Sequence, residues 1–470
     1  MTEQYVDHIN LQNALLTRRQ ALALGGATGV GLNLGGLMRA QAADTNLGIS
    51  AIKSCIVLFY YGGPSHLDTF DMKPNAPDNI RGPFKSIATS VPGIRISEHQ
   101  PHTSKIMHHV SVIRSMHHTN RLHDSASTET LTGRQSPQGD REEFAPIPQF
   151  FPSLGSSVTY MRRDQDYEVH HAALPWIFRN VVNTPCQGGG FLGSAYDPFR
   201  IDGDASKLAF KAEMFNRPSD LSIARLKQRQ NLLERLATEP SLNALPQSIE
   251  LKQLYGKAIE LMQSERVAKA LRIEEESDET RERYGVYPDK PKVGRDVAGH
   301  QLRGQNVLLA RRLVEAEVPF INVYDFRVQG QNWDSHNDNF NEHKDRLLPP
   351  ADKAYAALIE DLEDRGLLET TLVIALGEFG RTPKINGNAG RDHWPDCYSV
   401  ALAGGGTKGG FMYGESDRLG AYPISNAVTP ADLAATIFWR FGINHHAEIH
   451  DHLNRPYRLA DGEPIKDVFV

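Results

Sequence analysis

Residues 53–61 read KSCIVLFYY and run straight into Gly62-Gly63-Pro64. A near-continuous apolar run of that length, closed by turn residues, predicts a strand buried on both faces of a parallel sheet. Comparable runs are His109 to Arg114 (HVSVIR), Pro319 to Tyr324 (PFINVY), Thr371 to Leu376 (TLVIAL) and Tyr398 to Ala403 (YSVALA). Helical text flanks them. Arg295 to Ala316 carries Val307, Leu308, Leu313 and Val314 at helical spacing, and Leu348 to Arg365 repeats the pattern until Gly366 closes it. Helix followed by strand, twice in succession, predicts an α/β fold with a mostly parallel sheet flanked by helices. Pro430 to Phe441 is a further helix, with Thr429 as N-cap and Pro430 in its first turn.

Between these parts the chain is charged and helix-prone without a strand signal, which predicts a helical insertion over about 205–285. The 470 residues carry 40% hydrophobic and 23% charged side chains, a globular balance that excludes fibrous and disordered classes. A formal net charge of −6 gives no footprint for a nucleic-acid partner. Cys55, Cys186 and Cys397 are too few and too scattered for a disulfide framework or a structural zinc site. Histidine stands out instead: 19 residues, grouped at His99 to His123, His336 to His343 and His445 to His452.

Arg18-Arg19 precedes an uncharged stretch from Ala21 to Leu37, and Ala40-Gln41-Ala42 offers the small residues of a cleavage site. These features predict a twin-arginine signal over residues 1–42, a partnership with the twin-arginine translocase, and a mature α/β domain over 43–470 in the periplasm or otherwise exported. The stretch is weakened by Gly, Ala and Asn33, and no later run is long enough to span, so no stable membrane span is expected.

In open α/β sheets ligands sit at the carboxyl ends of strands, so the residues after each run matter most. GGPSHLDTFD brings His66, Asp68 and Asp71; the segment after PFINVY brings Asp334 and His336; GEFGRTP brings Glu378 and Arg381; AGRDHWPD, before YSVALA, brings Asp392 and His393. Imidazole and carboxylate are the ligands of a divalent Zn, Mn or Mg ion.

GEFGRTP, GRDHWP, GGPSHLDTFD, QGGGFLGSAYDPF from Gln187, and TPADLAATIFWRFGI from Thr429 together resemble the exported family called domain of unknown function 1501. That family belongs to the alkaline-phosphatase-like and sulfatase-like superfamily, and the resemblance spans essentially the whole mature chain. It implies an alkaline-phosphatase-like core and one metal held by Asp334, His336 and His393. It implies a second metal near Glu378, with Asp68 or His66 reaching in from the first strand; Phe379 stands where that site keeps a His, which predicts an altered or absent second site.

The superfamily nucleophile lies nine residues before the Thr of a Leu-Thr-Gly-Arg segment, at a helix N-terminus. In Leu131-Thr132-Gly133-Arg134 that count lands on His123, with Asp124, Ser125 and Ser127 as neighbours. His123 is expected to serve as a metal ligand or general base, with Ser125 as a rival nucleophile. Arg381 or Arg121 is expected to clamp an anion, since a guanidinium fork matches a tetrahedral oxyanion. The resemblance implies an exported metal-dependent hydrolase of a phosphate or sulfate ester, on a small molecule or a polysaccharide. The competing class is a non-catalytic exported metal- or ligand-binding protein that retains the fold.

Overall fold

The structure is a computed structural model and describes residues 51–201, 264–286, 294–325 and 333–470, except 146, 148, 176 and 180–182, together with 225, 228, 231 and 232. The expected signal segment 1–42 lies outside the described residues. So does most of the expected insertion at 205–285, of which the described end forms the short helices Glu265–Leu271 and Asp278–Arg283.

Among the described residues an eight-stranded sheet organises the fold. In chain order its strands are β1 (Ser54–Phe59), β2 (Val110–Met116), β3 (His171–Leu174), β4 (Phe199–Arg200), β5 (Phe320–Tyr324), β6 (Thr371–Leu376), β7 (Tyr398–Ala403) and β8 (Phe411–Tyr413). Across the sheet they lie β8-β2-β7-β6-β1-β5-β3-β4. β1 is central and pairs in parallel with β5 and β6. Its apolar run follows from cover on both sides. Ile56 and Leu58 pack into one core with Leu308, Leu313 and Leu358 from helices α3 (Gly294–Glu315) and α4 (Leu348–Asp364). Cys55, Val57 and Phe59 face the other core, with Leu433, Ile437 and Phe438 of α5 (Pro430–Arg440).

α5 starts on a complete capping box: Thr429 accepts from the Asp432 N–H while the Asp432 carboxylate accepts from the Thr429 N–H. Two further helices matter below, α1 (His123–Thr132) and α2 (Leu154–Met161). Among the described residues no helix is long and apolar enough to cross a membrane.

The sheet is mostly parallel, as expected, and the strand Tyr398–Ala403 is an exception within it. β7 runs antiparallel to both β2 and β6. Its beginning therefore lies at the same edge where β1, β5 and β6 end. Apolar content reports burial and carries no strand direction.

Candidate metal centre

Register brings the functional loops to one edge. Phe59 pairs with Tyr324 on one side and Leu376 on the other, so β1, β5 and β6 finish level. β1 gives way to Gly62-Gly63, β6 to Gly377-Glu378, and β5 to the segment that returns at Trp333, whose N–H donates to Tyr61 O at 3.0 Å. β2 leads into α1, which begins at His123 and ends on Gly133 in the left-handed conformation. His393 precedes the reversed β7 and so arrives at the same edge.

There the structure brings together His123, Asp334, His336 and His393. Asp334 Oδ1 lies 3.0 Å from His336 Nε2 and 3.3 Å from His393 Nε2, and Asp334 Oδ2 lies 3.3 Å from His123 Nε2. The other nitrogen of each ring is held from outside. His123 Nδ1 lies 2.6 Å from Glu378 Oε1, His336 Nδ1 2.8 Å from Asp392 Oδ1, and His393 Nδ1 2.7 Å from Arg121 O. A carbonyl or an ionised carboxylate only accepts, so each Nδ1 carries the hydrogen and, in the neutral ring, each Nε2 presents its lone pair toward Asp334.

Three lone pairs and a carboxylate then converge. His336 Nε2 and His393 Nε2 are 2.9 Å apart, and the buried His123 Nε2 makes no hydrogen bond. Such an arrangement requires a cation or a proton between the groups, and the ligand atoms of His123, Asp334 and His393 all lie within 4.8 Å of one another. The donor set fits a divalent metal, and outer hydrogen bonds that fix each tautomer are what ligating histidines ordinarily have.

The electrostatics agree with the geometry. Burial alone would raise the Asp334 pKa, but contacts with His123, His336 and His393 and the charge of Arg381 hold it well below the carboxylate range. Burial disfavours charge on His123 too, yet Asp334 and Glu378 outweigh it and push its pKa up to about 9. His393 is lowered, burial prevailing over Asp334.

Glu378 is fully buried and sits one layer out: its carboxylate accepts from the Gly62 N–H at 2.8 and 3.1 Å and orients His123. Phe379 packs its ring against those of His123 and His393, so it braces two imidazoles of the cluster.

Arg381 is buried beside the cluster and directs its guanidinium at Asp334 Oδ1 (2.6 Å), Gly63 O (3.1 Å), Arg391 O (3.1 Å) and Gly62 O. That engagement makes it a brace of the β1 turn, in place of the expected anion clamp. Arg121 is half exposed, with its Nη2 2.8 Å from Asp396. Asp68 and His66 are not brought to the cluster. Asp68 is turned into a buried pair with Arg391 at 2.8 Å, and His66 Nε2 meets Gly420 O at 2.7 Å.

The start of α1 is closed as well. Asp140 accepts from the N–H groups of Arg121 and Leu122, and Glu142 from those of His123 and Asp124. Ser125 Oγ donates to Leu122 O at 3.0 Å and to Asp140, so it does not face the histidines. Asp140, Glu142 and the Asp68–Arg391 pair had no sequence signal beyond their charge.

A family profile described as "Protein of unknown function (DUF1501)" matches residues 52–469. The chain belongs to that family. The DUF1501 match therefore takes in every residue of the centre. No curated protein matches the chain in sequence. Among solved structures, the sulfatase PsFucS1 from Pseudoalteromonas sp. is similar at 13% identity and a TM-score of 0.37, over 87% of this chain and 71% of that one. A protein in the alkaline phosphatase superfamily from Vibrio parahaemolyticus is similar at 10% identity and TM-score 0.40, over 86% and 68% of the two chains. The phosphonate monoester hydrolase SpPMH from Silicibacter pomeroyi is similar at 10% identity and TM-score 0.33, over 89% and 76%.

Proposed function

We propose that the protein is an exported metal-dependent hydrolase of the alkaline-phosphatase-like type, acting on a phosphate or sulfate ester of a small molecule or a polysaccharide. The observation that carries this reading is the convergence of three Nε2 atoms on Asp334, each ring locked through its Nδ1. His123, Asp334 and His393 would hold the ion, with His336 beside them; two or more imidazoles with one carboxylate suit Zn better than Mg, while Mn remains within the donor set. A bound divalent ion supplies Lewis acidity toward an ester oxygen and lowers the pKa of water.

The chain's own residues do the rest. Glu378 and Asp392 hold protons on the outer ring nitrogens of His123 and His336, and Arg121 O does so for His393. Arg121, exposed at the rim, is the guanidinium able to meet a tetrahedral anion. Since Ser125 is turned away, water is the nucleophile, and His123 serves as ligand or as its base. Arg18-Arg19 supports export through the twin-arginine translocase.

A second reading, a non-catalytic exported metal- or ligand-binding protein, draws support from the closure of the α1 start by Asp140 and Glu142, which repels an incoming anion. Metal analysis of the purified chain, paired with a panel of phosphate and sulfate esters, tests both. Bound metal with turnover that His393→Ala abolishes supports the hydrolase. Bound metal without turnover on any ester selects the second reading, and a chain that takes up no metal overturns the hydrolase together with the metal-binding form of the second reading.

A further inference from the structure

The C-terminal histidine group noted in the sequence takes no part in the centre described above. We propose that His445, His446 and Glu463 form a second, peripheral divalent-metal site that clips the segment after α5 to the C-terminal segment. Their ligand atoms all lie within 4.8 Å of one another. His445 Nε2 is 3.5 Å from Glu463 Oε2, and His446 Nε2 is 4.0 Å from Glu463 Oε1. The His445 Nε2 atom is buried and makes no hydrogen bond.

Neighbouring residues seldom point the same way, yet the two rings lie with centroids 3.9 Å apart. A turn arranges them: the N–H of Ala447 donates to Asn444 O and that of His446 to Asn444 Oδ1, both at 2.9 Å. The opposite side is pinned too, by Ala460 N–H to His445 O at 2.9 Å, Leu459 N–H to Ala447 O at 2.7 Å, and Glu463 N–H to the Asp432 carboxylate at 2.9 Å. Ligands borne on a backbone already fixed lose little further freedom on binding.

Two imidazoles this close repel when both are protonated, so the pair favours neutral rings with lone pairs to offer a cation. Two ring nitrogens and one carboxylate oxygen, open to solvent for a water, are a Zn-type donor set. Beyond Glu463 the chain carries Ile465, Val468 and Phe469 into the core and ends with the Val470 N–H on Gly406 O, 3.0 Å away. A cation at this site would fasten that tail and stabilise the fold by mass action.

The test is calorimetric titration of the untagged full chain, stripped with a chelator, with Zn²⁺ alone. The Asp334→Asn/His393→Ala variant should keep one equivalent that raises its Tm, and adding His446→Ala or Glu463→Gln should remove it. In the otherwise unaltered chain, His446→Ala should lose one equivalent and keep the other. Absence of a second equivalent from the unaltered chain, or its survival in both His446→Ala and Glu463→Gln, overturns the proposal. The two sites are removed separately, so failure here leaves the Asp334 centre standing, and failure there leaves this one.

Discussion

His123 Nδ1 and Glu378 Oε1 are 2.6 Å apart, and the same carboxylate is fixed by the Gly62 N–H. The bond sets both the tautomer and the direction of the ring, so Glu378 acts on the centre through His123. Glu378→Ala should weaken Zn²⁺ binding by about ten- to a hundredfold, the usual cost of losing an orienting partner, while Glu378→Gln should weaken it less. Competition against a chromophoric chelator reads the affinity. Unchanged affinity in the alanine variant would show that the ring needs no such support.

Asp68 and Arg391 lie 323 residues apart in sequence and both are fully buried. Ser65 Oγ (2.6 Å) and Asn339 Nδ2 (3.0 Å) complete the carboxylate's shell. Asp68→Asn leaves the Arg391 guanidinium buried without its counter-charge, and breaking such a pair costs about 3–5 kcal/mol. Chemical denaturation should register that loss. Because Arg391 N–H donates to Ser335 O and Arg391 O receives Arg381, the loops around Asp334 should loosen along with it.

His171 is buried, and burial, with Arg200 adding to it, pushes its pKa down to about 3. The unfolded chain takes up this proton below about pH 6.5 while the folded chain refuses it, so stability falls as pH drops from 6.5 toward 3. His171→Asn keeps an amide beside Asn322 and removes the titration. Between pH 7.5 and pH 5, with chelator present, the parent chain should lose about 2 kcal/mol more stability than the variant, at about 1.4 kcal/mol per pH unit. Parallel curves for the two proteins would mean that the folded chain admits the proton.

What the sequence made legible is what local patterning controls. TLVIAL and YSVALA form strands at their expected bounds, and Thr429-Pro430 opens α5. Asp334 stood out because it follows a strand, but its partnership with His393, which precedes β7, was implied only by the family resemblance. β3, β4 and β8 are too short, at four, two and three residues, to leave a periodic signal. The reversal of β7 depends on pairing with β2 and β6, and the destination of Asp68 depends on an arginine far along the chain. Neither is written in nearby residues. Arg381 was legible as a charged residue at the site, but its burial against Gly62 O and Gly63 O follows only from packing.

The proposed export rests on Arg18-Arg19. The Arg18→Lys/Arg19→Lys variant should accumulate in the cytoplasm with its signal uncleaved, whereas the parent chain should be recovered from the periplasm starting near Ala43. Fractionation and N-terminal sequencing distinguish the two. Normal export of the double variant would remove the translocase from the account.

Gly62 connects the strand to the metal centre through its lack of a side chain. Its φ is +108°, and a Cβ there would stand 2.4 Å from Asp334 N and 2.7 Å from Trp333 N, both backbone atoms. Gly62→Ala therefore adds steric displacement of the Asp334 segment to a backbone penalty of about 1–2 kcal/mol. Gly93 is the matched control: its φ is +87° and a Cβ would meet nothing within 4 Å. Gly93→Ala should lose stability alone and bind Zn²⁺ as the parent does, whereas Gly62→Ala should lose stability and Zn²⁺ affinity together. Should Gly62→Ala retain parental affinity, the close approach of β1 to Asp334 would not be what places that carboxylate among the three histidines.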